Sequence, residues 1–175
     1  MKNKNFLYIL LIATASLGLV NRVDAGINWA EVGINGLTCS LCSRTVEKSL
    51  ERLPFIDSVV MSLETTNARI YFKNGGKIDY PAIAKAVSDS GFSIRLLQVE
   101  FSFNDITVNT DGTFNYQNKN YRWMDFKNGS ARGKVVLKLV DGIYLPKKEA
   151  AEWKKKIEVI DQPVKGGIIH VARVS

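Results

Sequence analysis

The chain has 175 residues, a formal charge of +7 at pH 7 and 46% hydrophobic residues, with no low-complexity tract or internal repeat. Its length allows one ordinary domain or two small ones. Its two cysteines, Cys39 and Cys42, lie only three positions apart. A disulfide framework would need more cysteines, spread along the chain to join distant loops. We therefore expect this pair to form a site.

The first 25 residues have the plan of a secretory signal peptide. Lys2 and Lys4 precede an apolar run over residues 6–20, and a small-x-small pattern ends at Ala25. The run is shorter than the roughly 20 residues that span a bilayer. We expect residues 1–25 to be removed, and the mature chain to be exported to the periplasm without a permanent membrane anchor.

Removal of that segment lowers the formal charge from +7 to +5 over residues 26–175. A mildly basic protein attracts acidic partners or surfaces at low salt. Export makes nucleic acid a poor candidate partner.

The next residues predict a strand followed by a helix. Residues 29–36, "WAEVGING", alternate apolar and polar side chains as a strand does. After the cysteine loop, Val46, Leu50 and Leu53 recur at helical spacing, and Pro54 follows the helix. Cys39 is thus expected in the loop and Cys42 in the first helical turn.

Two strands, a second helix and a final strand follow. Residues 56–63 and 67–72 predict a hairpin, Asp79 is placed to cap a helix, and Gly91 is placed to end it. Residues 92–101 return as a strand. The order β-α-β-β-α-β is the ferredoxin-like arrangement of an α+β fold, with both helices on one face of an antiparallel sheet.

We therefore assign residues 26–100 to one domain and 101–175 to a second, small and mostly β domain of unknown function. Five short strands are predicted there, in "NDITVN", "TFNYQ", "YRWMDF", "KVVLKLV" and "GIIHVARV", with one helix that begins near Pro146. This pattern suggests a small barrel, OB-like in kind. Its aromatic residues could form a ligand platform, but such residues are more often core: Phe114, Tyr116, Tyr121, Trp123 and Phe126.

The cysteine pair is suited to a soft metal ion. A helix N-terminus favours negative charge, and the thiolate is the form that binds metals. Two soft sulfurs without other ligands favour Cu(I), and by the same reasoning Ag(I) or Hg(II). A structural zinc site needs four ligands, and the one histidine, His170, lies in the last strand. A further hypothesis is that His170 or Met124 adds a ligand.

The motif "GLTCSLC", the segment "LERLPFIDSVVMSLETTNARIYF" and the later "DSGF" resemble the heavy-metal-associated domain. That family includes copper chaperones, modules of metal-transporting ATPases and the periplasmic mercury-binding protein, and the resemblance spans about residues 29–100. It implies Cys39 and Cys42 as metal ligands and Phe92 as the aromatic beside the metal. Leu37 replaces the family's usual methionine, a side chain that points into the core.

Two alternatives for the cysteines stay open. The C-x-x-C spacing before a helix is also the layout of thiol–disulfide oxidoreductases, although Ser40-Leu41 and the predicted strand order differ from theirs. A purely structural pair is the other alternative. No paired carboxylates or Ser/His/Asp set can be placed, so we do not expect an enzyme.

The first helix also carries a basic stripe of Arg44, Lys48 and Arg52. It could dock an acidic surface on a metal-transporting or metal-accepting partner. The alternative is a solvated helix face in which Glu47 and Glu51 pair with the stripe.

Overall fold

The computed structural model of the protein describes residues 26–104, 106–127, 131–161 and 167–174. The predicted signal peptide lies outside the described residues. The elements of the first half are β1 (Ile27–Asn35), α1 (Ser40–Glu51), β2 (Ile56–Ser62), β3 (Asn67–Phe72), α2 (Tyr80–Asp89) and β4 (Ser93–Ser102). Those of the second are β5 (Thr113–Tyr116), β6 (Lys119–Trp123), β7 (Lys134–Leu139), a 3₁₀ turn (Gly142–Tyr144), α3 (Lys147–Ile160) and β8 (Ile168–Arg173).

The first half has the predicted ferredoxin-like fold. Its strands pair antiparallel in the order β2-β3-β1-β4. Three alternate residues of β1, Ala30, Val32 and Ile34, are fully buried, because this face of the sheet packs under α1 and α2. The Asp79 carboxylate caps α2 by accepting a hydrogen bond from the Ala82 N–H at 3.1 Å. Gly91 follows with φ of +86°, the left-handed stop that was predicted.

The second half is rich in strands and contains one helix, as predicted, but its strands continue the same sheet. β7 pairs antiparallel with the outer edge of β4, and the order runs on through β8 and β6 to β5. Over the described residues the sheet is therefore an open series of eight strands from β2 to β5, and the OB-like barrel is not formed. Pairing with β7 satisfies backbone groups that an edge strand would leave exposed.

One expected strand is missing. Within "NDITVN", residues 106–109 belong to no strand, although Ile106 and Val108 pack against the core. The Asn109 N–H instead donates to the Thr113 carbonyl at 2.8 Å and closes the turn before β5. Turn geometry therefore prevails over the β-branched composition of the segment.

A single hydrophobic core joins the two halves. The Tyr80 and Tyr121 rings meet edge to face, with their hydroxyls 3.2 Å apart, and link α2 to β6. Phe101 of β4 contacts the rings of both Phe114 and Tyr121. Phe114, Tyr121 and Trp123 are buried, so these aromatic residues are core, the more common role. The predicted boundary at residue 100 falls within β4.

α3 lies on the face of the sheet opposite to α1 and α2. Leu139 of β7 points into the main core, so its neighbour Val140 points to the other side. There Val140 and Ala172 form a second, smaller cluster with α3 residues Trp153 and Ile157. No helix among the described residues combines the length and the apolar character that crossing a bilayer requires.

Candidate metal centre

The cysteine loop leaves the end of β1 and enters α1. Gly36 turns the chain with φ of +78°, and Leu37 is 1% exposed, so this side chain points into the core as expected. Cys39 is the N-cap of α1, with extended backbone angles (φ −130°, ψ 149°). Its Sγ accepts a hydrogen bond from the Cys42 N–H at 3.0 Å. A sulfur thus occupies the position where the helix leaves N–H groups unpaired.

The two cysteines meet at one point. Their Cα atoms are 5.3 Å apart, and the structure holds the sulfurs as a disulfide. Cys39 is exposed, while Cys42 is half-buried and packs against the core. Reduction would therefore present two thiols side by side, one accessible to solvent and one supported by packing.

The start of α1 favours negative charge. The first turn of α1 contains no acidic residue, so the helix dipole acts on the sulfurs without an opposing charge there. Among the described residues no group of three or more histidine, cysteine, aspartate or glutamate side chains could hold a metal ion. The donor set is two sulfurs, which suits an ion of low coordination number.

Phe92 lies at the same end of the sheet as the cysteine loop. Ser93, its neighbour, pairs with Asn35 at the end of β1, and the Asn35 side-chain amide donates to Ser93 Oγ at 3.3 Å. Phe92 itself is half-buried and packs against the core. The β2–β3 turn reaches this end as well, because the Ile34 N–H donates to the Thr66 carbonyl at 3.0 Å.

The structure does not bring His170 or Met124 to the cysteines. β8 is three positions from β1 in the sheet, roughly 14 Å at about 4.8 Å per strand. Both ring nitrogens of His170 face carboxylates, Asp141 and Asp161. Met124 packs with the apolar cluster under α3. The added-ligand hypothesis therefore has no geometric support.

The basic stripe of α1 is free of the expected pairing. Arg44, Lys48 and Arg52 are exposed, and in the described segment 40–52 no ion pair joins them to Glu47 or Glu51. The exposure of the three side chains is compatible with both explanations, a docking surface and a solvated helix face.

A groove that the sequence did not reveal runs between α1 and α2. Its volume is about 560 Å³, and Lys48, Arg52 and Lys85 line it. Lys85 is paired with Asp89 at 2.7 Å, so Lys48 and Arg52 supply the uncompensated charge. Helical periodicity shows which face of one helix is polar but not which residues of two helices share a groove.

Residues 31–93 match the family model described as Heavy-metal-associated domain. Over 79 residues, 45% of the chain, 33% of positions are identical to a probable copper-transporting ATPase, HMA5, from Arabidopsis thaliana. Over 83 residues, 47% of the chain, 30% are identical to the mercuric transport protein periplasmic component from Pseudomonas fluorescens. The matches cover 8% of the ATPase and 90% of the mercuric protein, so the chain spans under a tenth of that ATPase.

Two solved structures are similar to part of the chain. The oxidized form of MerP from Ralstonia metallidurans CH34 has 26% identity and a TM-score of 0.35, and the match covers 39% of this chain and 96% of that one. A copper-binding domain from HMA7, a P-type ATPase, has 26% identity and a TM-score of 0.35, with 38% and 92% covered.

Proposed function

The chain belongs to the heavy-metal-associated domain family through residues 31–93, and from this premise we propose that it binds one soft metal ion between Cys39 and Cys42 and passes it to a partner. The observation that carries the proposal is the pair of sulfurs at the start of α1, where Cys39 is the N-cap. The ion is cargo, and the protein acts as a carrier with no catalytic step.

Cu(I) is the ion we propose first. Two thiolates without a third ligand suit a soft, monovalent, two-coordinate ion. The residue before the pair is Thr38, whose side chain offers no carboxylate as a further ligand. Relatives are named both for copper and for mercury, so Hg(II), together with Ag(I), is the alternative cargo. For each of these ions, the thiols must lose their protons as the metal–sulfur bonds form.

Transfer would proceed by thiolate exchange. An incoming partner thiolate forms a bond to the ion, one bond to a cysteine of this chain breaks, and a second exchange releases the other; no electron is transferred. The exposed Cys39 is the sulfur we expect to leave first, because the half-buried Cys42 is held by packing against the core.

A partner with an acidic surface fits the exposed face beside the site. The unpaired charges of Arg44, Lys48 and Arg52 extend along α1 from the cysteine loop, and Leu41, 77% exposed between the cysteines, offers an apolar contact. Such charge pairing would act mainly on the association rate and weaken as salt screens it. A metal-transporting ATPase or a metal-accepting protein would meet this description.

The proposal includes export. The N-terminal pattern of residues 1–25 and the name of the mercuric relative, a periplasmic component, support a mature protein that begins at Gly26 and works in the periplasm.

Thiol–disulfide exchange is the second candidate, since the structure holds Cys39 and Cys42 as a disulfide. The two functions differ in their prediction: a redox protein would turn over disulfide substrates, whereas a carrier would bind an ion stoichiometrically.

The deciding experiment is a competition titration of the reduced chain from residue 26 onward with Cu(I), against a chromophoric chelator. We expect one tight equivalent, lost in the Cys39→Ser/Cys42→Ser variant. Ser40→Ala is the matched control, because it alters the same loop without removing a sulfur. A reduced wild-type protein that fails to compete for Cu(I) and for Hg(II) would refute metal carriage.

A further inference from the structure

His170 of β8 is held between two carboxylates. Its Nδ1 lies 2.7 Å from Asp141 Oδ1, and its Nε2 lies 3.0 Å from Asp161 Oδ2. The side chains of His170 and Asp161 are only 10% and 9% exposed. An ionised carboxylate can only accept hydrogen bonds, and a neutral imidazole has a single N–H. Both contacts are therefore hydrogen bonds only when the ring is protonated.

The charges around the ring favour that protonated form. Burial by itself lowers the pKa of His170, but the hydrogen bond and charge of Asp141, followed by those of Asp161, outweigh it, so the pKa lies above its usual value of 6.5. From β6, Arg122 Nε lies 2.7 Å from Asp161 Oδ2 and opposes this effect. Asp111 lies 3.6 Å from Arg122 and partly offsets its charge.

Two further charges of α3 face the same space. A cavity of about 610 Å³ lies between α3 and β8, and its walls include Lys154 and Glu158 as well as His170, Asp141 and Asp161. Lys154 and Glu158 lie 3.8 Å apart, so their charges largely cancel. The balance at the ring is therefore set by the two aspartates and Arg122.

The C-terminal end of α3 depends on this cluster. None of the helix residues is fully buried; Ala150, Trp153 and Ile157 make half-buried apolar contacts with the sheet. Near its start, Glu149 forms an ion pair with Lys138 of β7 at 2.7 Å. At its other end, the carboxylate of Asp161, the C-cap, is the side chain that reaches the sheet.

We propose that His170 is a proton-operated clasp, which fastens the C-terminal end of α3 to β8 when the ring is protonated and loosens it when the proton leaves. Asp141 is the contact that persists after release, because it makes the shorter bond to the ring and also accepts the His170 backbone N–H at 3.0 Å. The Nε2 lone pair then faces the Asp161 carboxylate, and the two acceptors repel each other. Among the described residues, the ion pair with Arg122 of β6 then remains on Asp161, so the helix end is loosened from β8 but not freed from the sheet.

The direction of the pH dependence follows from the raised pKa. The clasp is fully closed below pH 6.5, the ordinary histidine value, and opens as pH rises through the higher value of the folded protein. Opening the helix end widens the cavity and exposes apolar side chains of Val140 and Ile157 that line it. The clasp is independent of the proposed metal site, so it can be tested with no metal present.

The chain contains one histidine, which makes the first test direct. Nitrogen-15 NMR of the imidazole, in the chain from residue 26 onward, should show two protonated ring nitrogens at low pH and a pKa above 6.5. Hydrogen exchange of the amides near Ile160, corrected for the intrinsic pH dependence, should lose protection on the order of tenfold across the same titration. A ring that titrates at or below pH 6.5, or protection that does not change across the titration, would overturn the proposal.

Two variants separate the clasp from a merely structural histidine. His170→Gln should leave the end of α3 weakly protected at every pH, and Asp161→Asn should both lower the histidine pKa and remove the pH dependence of protection. Asp161→Asn keeps the test available if the glutamine variant does not fold. Lys138→Met is the control, since it loosens the start of α3 but should preserve the pH dependence at its end. An Asp161→Asn protein that retains the wild-type pH response would contradict the mechanism.

Discussion

The tyrosine pair that joins the two halves allows a sharp test of how strongly they are coupled. Tyr80 of α2 is 0% exposed and Tyr121 of β6 is 1% exposed, and each hydroxyl has the other as its hydrogen-bond partner at 3.2 Å among the described residues. Tyr121→Phe removes one hydroxyl and keeps the ring. It leaves the hydroxyl of Tyr80 buried without its partner.

The expected magnitude follows from that orphaned group. A buried polar group deprived of its partner costs about 1–3 kcal/mol of the free energy of unfolding. Tyr80→Phe should cost a similar amount, for the same reason. The double variant removes both hydroxyls from an apolar site and should cost clearly less than the two single changes together, with a coupling energy on the order of 1 kcal/mol. For a chain of this size, 1 kcal/mol corresponds to about 2–4 °C in Tm.

The assay is urea unfolding of the wild type and the three variants, with the chain from residue 26 onward. It should be followed by far-ultraviolet circular dichroism and by tryptophan fluorescence. Because Tyr80 and Tyr121 share one core, the two probes should report a single transition. Additive effects of the two single variants, or two separated transitions in the wild type, would show that the halves are not coupled through this contact.

The ionisation of the buried tyrosines and the cap of α2 can be tested in the same way. Burial raises the pKa of Tyr121 to about 12 and that of Tyr80 well above 10, so the stabilisation from the neutral tyrosines should be complete below pH 10. Above pH 10 the free energy of unfolding should fall by up to about 1.4 kcal/mol per pH unit for each tyrosine, and less steeply in Tyr121→Phe. Unfolding at pH 9 and pH 11 measures this fall, and an unchanged free energy of unfolding would contradict it. Asp79→Ala removes the cap of α2 and should lower the free energy of unfolding in urea by about 1 kcal/mol without changing metal affinity. The control Asp57→Ala, at an exposed position of β2, should lower it little. Equal losses in the two variants would refute the capping argument.

Much of the first half could be predicted because its signals are local. The strand over 67–72, the capping Asp79 and the left-handed Gly91 each depend on a few neighbouring residues, and the structure has all three as expected. The position of Cys39 and Cys42 at the start of α1 follows from the same local reasoning. Their role as metal ligands stays a prediction until binding is measured.

Only the tertiary structure decided how the two halves meet. That β7 pairs with β4, and so continues one sheet where a separate barrel was expected, depends on residues from Ser102 and Lys134, 32 positions apart, to Gln98 and Lys138, 40 apart. Strand propensity carries no signal for such a pairing. Asp141 and Asp161 are 29 and 9 residues from His170, and nothing in their spacing indicates that they share its ring. Periodicity shows which side chains turn inward on each element, but the partner across the core is chosen by the packing of the whole chain.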